Sequence, residues 1–304
     1  MTGPRIEMLV NPASGKGRGA RAGEAAVERL RRLGAEVTVR SGDSAAATRR
    51  LAGEAIASRP DALVVVGGDG TLSSVLEQLA NRDVPLALVP AGTGNDLARA
   101  LGLPVGGREA AADAAELALR GCRRSIDLGE AVCPDGRAKF LTVAALGFDA
   151  RVSERTNRLS WPRGAARYYL ALVVELLRLR PLRFVMNVDG APAVVRPGIL
   201  AAVGNTRSYG GGMPMCPEAD PSDGLLDLTH VGPIGRLRLL RLFPRLLRAE
   251  HLARPEVLSL RATRVEIEAP GLVVYADGER IGTGSVRVGV LPGALRMFVP
   301  EEAS

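Results

Sequence analysis

In the N-terminal third of the chain, polar glycine-rich segments stand directly behind apolar, strand-like runs, and this placement constrains the fold more than any other feature. The run 6–10 leads into Asn11-Pro12-Ala13-Ser14-Gly15-Lys16-Gly17, the run 62–66 into Gly67-Gly68-Asp69-Gly70-Thr71, and the run 86–89 into Pro90-Ala91-Gly92-Thr93-Gly94-Asn95-Asp96. Apolar spacing predicts helices over 20–33, 45–58, 95–101 and 110–120, with a further strand over 36–40. Strand, glycine turn and helix in alternation describe an α/β domain with parallel strands joined by crossover helices. Ligands on such sheets bind beyond the carboxyl ends of the strands.

Beyond about residue 123 the pattern changes to short β-like runs separated by glycine, proline and aspartate, at 140–146, 183–188, 199–203, 225–230, 265–268, 272–275 and 286–290. This half is expected to be mainly antiparallel β, with Asp189-Gly190 as a hairpin turn. Helical patterns interrupt it over 165–178 and 234–252, and no internal repeat occurs. The 304 residues therefore divide into a nucleotide-sized α/β domain over 1–123 and a β-rich domain over 124–304.

Three cysteines, Cys122, Cys133 and Cys216, lack the paired close spacing of a zinc site and suit free thiols in a reducing compartment. No charged-then-apolar leader precedes the first strand, and no apolar stretch approaches the roughly 18 residues of a membrane span, so a cytoplasmic location is expected. The net charge of +7 fits nucleic acid, an anionic membrane or a phosphorylated ligand equally. Aromatic residues at 3 % leave no stacking platform for single strands, which argues against nucleic acid.

The loops themselves suit phosphate. Exposed backbone amides at a strand-to-helix turn favour an anion, and the glycines let those amides approach closely. Asp69 adds an acceptor for a hydrated magnesium ion or a substrate hydroxyl. The first loop is not a Walker A loop, because Gly17 follows Lys16 and Val10 stands where the leading glycine belongs. A competing reading takes Gly15, Gly17 and Ala20 as a dinucleotide fingerprint with Arg40 on a 2′-phosphate, a weak pattern by itself. Tight turns capped by Thr71, Asn95 or Asp96 are the bland alternative. Neither histidine, His230 or His251, lies in a polar loop, and both read as structural or surface residues.

Asn11-Pro12-x-Ser14-Gly15, Gly67-Gly68-Asp69-Gly70-Thr71 and Gly92-Thr93-x-Asn95-Asp96, in this order, resemble the catalytic domain of the diacylglycerol kinases, a family that includes YegS-type lipid kinases and sphingosine and ceramide kinases. The resemblance continues through Gly147-Phe148-Asp149-Ala150, Gly210-Gly211-Gly212-Met213, Asp223-Gly224-Leu225-Leu226-Asp227 and Asp277-Gly278-Glu279, and so spans nearly the whole chain. NAD kinases share only the Gly67 to Thr71 pattern. The resemblance implies a lipid kinase using ATP and magnesium, most simply on diacylglycerol, with a sphingoid base or another lipid alcohol as the alternative acceptor. A non-catalytic lipid- or nucleotide-binding protein on the same fold is the alternative of another class.

By the same resemblance the active site lies in the interdomain cleft, with residues 124–304 receiving the lipid and the extreme C-terminus able to pack back on the first domain. Glu279 is implied as the base for the attacking hydroxyl, although Asp277-Gly278 alone reads as a hairpin turn. Asp69, Asp96 and Asp127 are implied as the acids that organise the catalytic magnesium, and Lys16 as a charge on phosphate. Asn11, Pro12, Ser14, Gly15, Gly67, Gly68, Gly70, Thr71, Gly92, Thr93 and Asn95 would line the nucleotide. A second, structural magnesium is implied at Asp223, with backbone oxygens near Asp220 and Leu225, where an acidic surface turn is the alternative.

A lipid substrate presented at a membrane surface requires transient, peripheral docking, and a homodimer remains compatible. Over 234–252, Leu237, Leu240, Phe243, Leu246 and Leu247 interleave with Arg236, Arg238, Arg241, Arg245 and Arg248, which fits a basic amphipathic helix on an anionic membrane, with a kink at Pro244. The leucines could equally pack on the second domain while the arginines face water.

Overall fold

The structure, a computed structural model, describes residues 3–42, 44–162 and 165–301. They form two compact units, Met1–Leu128 with Pro292–Ser304, and Gly129–Leu291.

The first unit is built from β1 (Arg5–Val10), α1 (Ser14–Arg32), β2 (Glu36–Ser41), α2 (Ala45–Ala57), β3 (Ala62–Gly67), α3 (Asp69–Ser73), α4 (Leu76–Leu79), β4 (Leu86–Pro90), α5 (Asp96–Ala100) and α6 (Gly107–Arg120), and β5 (Cys122–Cys133) leads out of it. Its strands run parallel in the order β2-β1-β3-β4, with Met8 beside both Val39 and Val64. Every residue of β3 and β4 is buried, as the near-continuous apolar sequences of inner parallel strands require. On one face α1 and α6 pack together through Ala22, Ala26 and Leu30 against Ala111, Ala115 and Ala118. Small side chains here favour the helix and let the two axes approach. From β1 the chain moves outward to β2 and then crosses back to β3, so the carboxyl ends of β1 and β3 form the topological switch point.

The second unit continues with β6 (Gly136–Phe140), β7 (Val143–Gly147), α7 (Phe148–Arg158), α8 (Ala165–Leu177), β8 (Leu182–Val188), β9 (Val194–Gly198), β10 (Leu200–Gly204), β11 (Leu226–Val231), α9 (Arg236–Leu246), β12 (Val257–Ala262), β13 (Arg264–Ala276) and β14 (Glu279–Val299). Antiparallel pairing runs β12-β11-β10-β7-β13-β14, with β8 and β9 extending from β13 and β6 paired to β5. Phe140, Phe184, Val203, Leu228, Leu272 and Val288 centre its core. Both central residues of the Asp189-Gly190 turn take the left-handed conformation a two-residue hairpin needs. All three cysteines are free, and burial pushes the Cys133 thiol up to about 11 and the Cys216 thiol up to about 12, so neither supplies thiolate at neutral pH.

The end of β14 returns to the first unit. Met297 pairs with Leu86 of β4, Asn81 N donates to Ala294 O at 2.7 Å, and Phe298 joins the core under α1 and α6.

Candidate functional site

At the switch point the three glycine-rich loops are tied into one cradle. Asn11 Nδ2 donates to Thr71 Oγ1 at 3.0 Å, and Asn11 N donates to Val66 O at 3.0 Å, which locks the first loop to the second. The second and third loops touch through glycine. A Cβ added to Gly68 would stand 2.7 Å from Gly92 Cα, and Ser14 Oγ lies 3.7 Å from the same point. No other residue type allows that backbone approach. Arg18 then clamps the first loop to the third, with Nε donating to Gly15 O at 3.0 Å and Nη2 donating to Gly92 O at 2.7 Å.

Gly15, Lys16 and Gly17 are left-handed in succession, with φ of 59°, 63° and 90°, inside what is otherwise the start of α1. The turn is held by its own backbone, with Ser14 N donating to Asn11 O at 3.2 Å and Gly17 N donating to Ala13 O at 3.3 Å. Lys16 pays the steric cost of a left-handed Cβ and stays exposed. Thr93 is exposed on the third loop, whereas Asn95 is buried and left-handed at φ 55°. Its Nδ2 donates to Gly92 O at 3.1 Å, and among the described residues no donor reaches its buried Oδ1. An unpaired buried acceptor costs stability unless a ligand supplies the donor.

Asp69 organises the opening of α5. Its two carboxylate oxygens accept from Asp96 N at 3.0 Å and Leu97 N at 3.3 Å, and Asp96 faces Arg99 at 3.6 Å. Asp69 and Asp96 thus stand together at the opening of α5, carboxylates of the type that holds a nucleotide-bound cation through water. Asp127, on β5, accepts from Gly293 N at 2.7 Å and thereby holds the returning C-terminal segment. The structure thus brings Asn11, Ser14, Gly15, Gly68, Asp69, Thr71, Gly92, Asn95 and Asp96 together, with Pro12, Gly67 and Gly70 inside the same loops.

Glu279 belongs to the second unit, at the tip of the β13–β14 hairpin. Asp277 and Gly278 form its left-handed turn at φ 48° and 83°, and Ala276 pairs with Glu279. The Asp277 carboxylate accepts from Leu141 N at 2.7 Å, Thr142 N at 2.9 Å and Thr142 Oγ1 at 2.6 Å, so the exposed Glu279 stands on an anchored turn.

The 220–227 loop does not fit the structural magnesium expected from sequence. Asp220 Oδ1 accepts from Ser222 N and Oγ, Asp223 Oδ1 accepts from Leu225 N at 2.9 Å, and the other Asp223 oxygen is paired with the Arg261 guanidinium. Arg261 Nε also faces Asp227 Oδ2 at 3.7 Å. A guanidinium therefore already occupies the one carboxylate, Asp223, on which the expected site depends. Burial, and then the charge of Glu218, push Asp227 up to about 6.

The profile of the diacylglycerol kinase catalytic domain matches residues 5–131, and that of the YegS C-terminal NAD kinase beta sandwich-like domain matches residues 142–299. A diacylglycerol kinase of Mycobacterium tuberculosis is 44 % identical over 297 residues, covering 97 % of this chain and 95 % of its own. The chain belongs to the diacylglycerol kinase family of lipid kinases. A Bacillus anthracis structure assigned to the diacylglycerol kinases shares the fold at TM-score 0.81 and 23 % identity, covering 100 % of this chain and 98 % of that one. An NAD kinase of Archaeoglobus fulgidus solved with ATP shares it more distantly, at TM-score 0.56 and 16 % identity, covering 98 % of this chain and 94 % of that one. The two-domain, α/β and antiparallel β architecture expected from sequence is the architecture of the family.

The partners of three residues of this family member escape sequence reading, although Asp149 and Asp277 stand in motifs that carry the resemblance. Arg18 and Asp277 act through backbone groups far away in the chain, which no local pattern announces. The third is Asp149, whose Oδ2 accepts from Tyr209 Oη at 2.6 Å and whose Oδ1 accepts from Ala150 N at 2.9 Å. Burial pushes this carboxyl up to about 6 despite both donors, and the bond ties the 207–213 loop to the start of α7. Both histidines are buried structural groups: His230 meets the Phe184 ring edge-on, and His251 Nε2 contacts Met215 O at 3.0 Å.

Proposed function

We propose that this chain transfers the terminal phosphate of ATP to the hydroxyl of diacylglycerol, giving phosphatidic acid and ADP. The observation that carries this reading is the cradle at the switch point, where Gly68 and Gly92 meet so closely that no Cβ fits between them. Phosphoryl transfer asks a protein mainly to position groups and spread charge, and this cradle concentrates backbone amides in one place. Asn11, Pro12, Ser14, Gly15, Gly67, Gly70, Thr71 and Thr93 shape the nucleotide seat, the unpaired Asn95 Oδ1 accepts from a nucleotide N–H or O–H, and Lys16 meets phosphate as a point charge.

Magnesium arriving with the nucleotide, held through water by Asp69 and Asp96 with Asp127 as a third acid, would supply neutralisation of the phosphate oxygens. Glu279 takes the proton of the attacking hydroxyl as the new oxygen–phosphorus bond forms and the bond to ADP breaks. The acceptor is a membrane lipid, so the protein works as a peripheral enzyme. Among the described residues, no helix is long and apolar enough to cross a bilayer.

The test incubates the protein with labelled ATP, magnesium and a panel of lipid alcohols, including diacylglycerol and sphingoid bases, in mixed micelles. Label is expected in phosphatidic acid. Glu279→Ala is expected to lower the rate by about 100-fold or more while nucleotide still binds. Absence of label in every lipid overturns the lipid acceptor, and an alanine variant of full activity overturns the base.

A further inference from the structure

Two helices of the second unit present apolar side chains to water. On α8, Tyr169, Val173 and Leu177 lie one turn apart along one face and are 62 %, 51 % and 63 % exposed, whereas the opposite face buries Ala171 and Glu175. Glu175 pairs there with Arg155. A helix with its carboxylate inward and its aromatic and aliphatic residues outward is the reverse of one that covers a core. On α9, Leu239, Leu242 and Leu246 pack against the core beneath, but Leu237, Leu240, Phe243 and Leu247 face out, Leu237 being 73 % exposed.

These two faces are joined. Arg236, the first residue of α9, donates from Nε to Leu176 O at 3.1 Å and from Nη2 to Leu177 O at 2.6 Å, capping the C-terminus of α8. Beside the junction lies a cavity of about 1020 Å3, walled by Leu179 and Pro181 behind α8 and by Arg238, Arg241, Arg245 and Arg254. Glu256 pairs with Arg238 at 2.8 Å. Among the described residues, Arg241, Arg245 and Arg254 have no acidic partner, so three like charges converge on one hollow.

We propose that α8 and α9 form one membrane-docking platform, in which the outward apolar residues enter the acyl boundary of an anionic bilayer and the arginine-walled cavity receives the phosphate of a phospholipid headgroup. The inference deepens the lipid-acceptor reading and rests on it for its purpose. Arginines interleaved with leucines around one helix match an interface between headgroups and acyl chains, where guanidinium groups reach phosphate while their stems stay apolar. A protein partner would call for a charge-depleted apolar centre with charge only at its rim.

The experiment sediments the full chain with vesicles of phosphatidylcholine alone and of equal parts phosphatidylcholine and phosphatidylglycerol. Selective binding to the anionic vesicles is expected. Arg241→Glu/Arg245→Glu and, separately, Tyr169→Ser/Leu177→Ser should each weaken it by about 10-fold or more, while Arg287→Glu, elsewhere on the same unit, leaves it unchanged. Equal melting temperatures and retained phosphorylation of a detergent-dispersed acceptor show that folding and chemistry are intact, so docking and catalysis fail separately. Equal binding to both vesicles, or full binding by the α8 variant, overturns the platform. So does a variant that binds vesicles normally but converts a dimer to a monomer, which would make the face a protein interface.

Discussion

An alanine at position 92 would put its Cβ 2.5 Å from Gly68 Cα and 2.7 Å from Asn95 Oδ1. Neither neighbour can yield, because one is backbone and the other is buried, so Gly92→Ala is expected to cost about 1–3 kcal/mol in denaturant unfolding. The same substitution forces two glycine-rich loops apart, and on the proposed nucleotide seat a loss of nucleotide binding by roughly 10-fold or more is expected by calorimetry, since misplaced amides no longer converge. Full nucleotide affinity in a destabilised variant would show that the close approach serves folding alone. A second residue-scale effect concerns pH. Burial, and then the nearby charge of Arg196, push His230 down to about 4 from its ordinary value near 6.5. Protonation therefore costs the folded state more than the unfolded chain, so the stability preserved by neutral His230 is complete above pH 6.5 and is lost as pH falls toward 4. Between pH 7.5 and 4 the loss from this one group is about 3 kcal/mol. Unfolding of His230→Phe across that range should lack this share of the slope, and an unchanged slope would remove the assignment.

The acidic 218–227 segment and β12 decide together what neither shows alone. Four acids in ten residues read as a cation loop, but Arg261 reaches two of them, Asp223 and Asp227, from the neighbouring strand, where it pairs in register with Asp227. Chelation of divalent cations is accordingly expected to leave the melting temperature of the protein without nucleotide unchanged. A clear fall on adding chelator would mean that the loop releases Arg261 and binds a cation after all. Helix α9 shows the same dependence on context. Its leucines divide between core and solvent, Leu246 turning inward and Leu247 outward, a division that spacing over 234–252 left open between docking and packing. Helix α8 is apolar on nearly every side, so its period could not show which face would be buried.

Across the whole molecule, the first unit is closed by the last segment of the chain. Phe298 is 5 % exposed in the core beneath α1 and α6, and the Arg123 guanidinium lies 5.5 Å from its ring centroid. Phe298→Ala should therefore cost about 3–5 kcal/mol in unfolding, the range for a large core side chain, despite lying a few residues from the C-terminus. A cost below about 1 kcal/mol would mean that the segment merely rests on the surface. The parallel strands and crossover helices around Gly67 to Thr71 were legible beforehand because strand, glycine turn and helix are local patterns with local causes: apolar runs bury, and glycines at Gly68 and Gly92 let the loops that follow them approach. Family motifs added Glu279, which its own Asp277-Gly278 turn does not announce. Other features depended on residues distant in sequence: Arg18 on Gly92, Asp277 on Thr142, Asp149 on Tyr209 and Arg261 on Asp223. By itself the sequence determined where the glycine-rich loops stand behind the parallel strands, since strand, turn and helix follow from local residues. Only the tertiary structure decided which apolar faces stay outside and which charges already have partners, because burial and pairing are properties of neighbours that the order of residues does not place side by side.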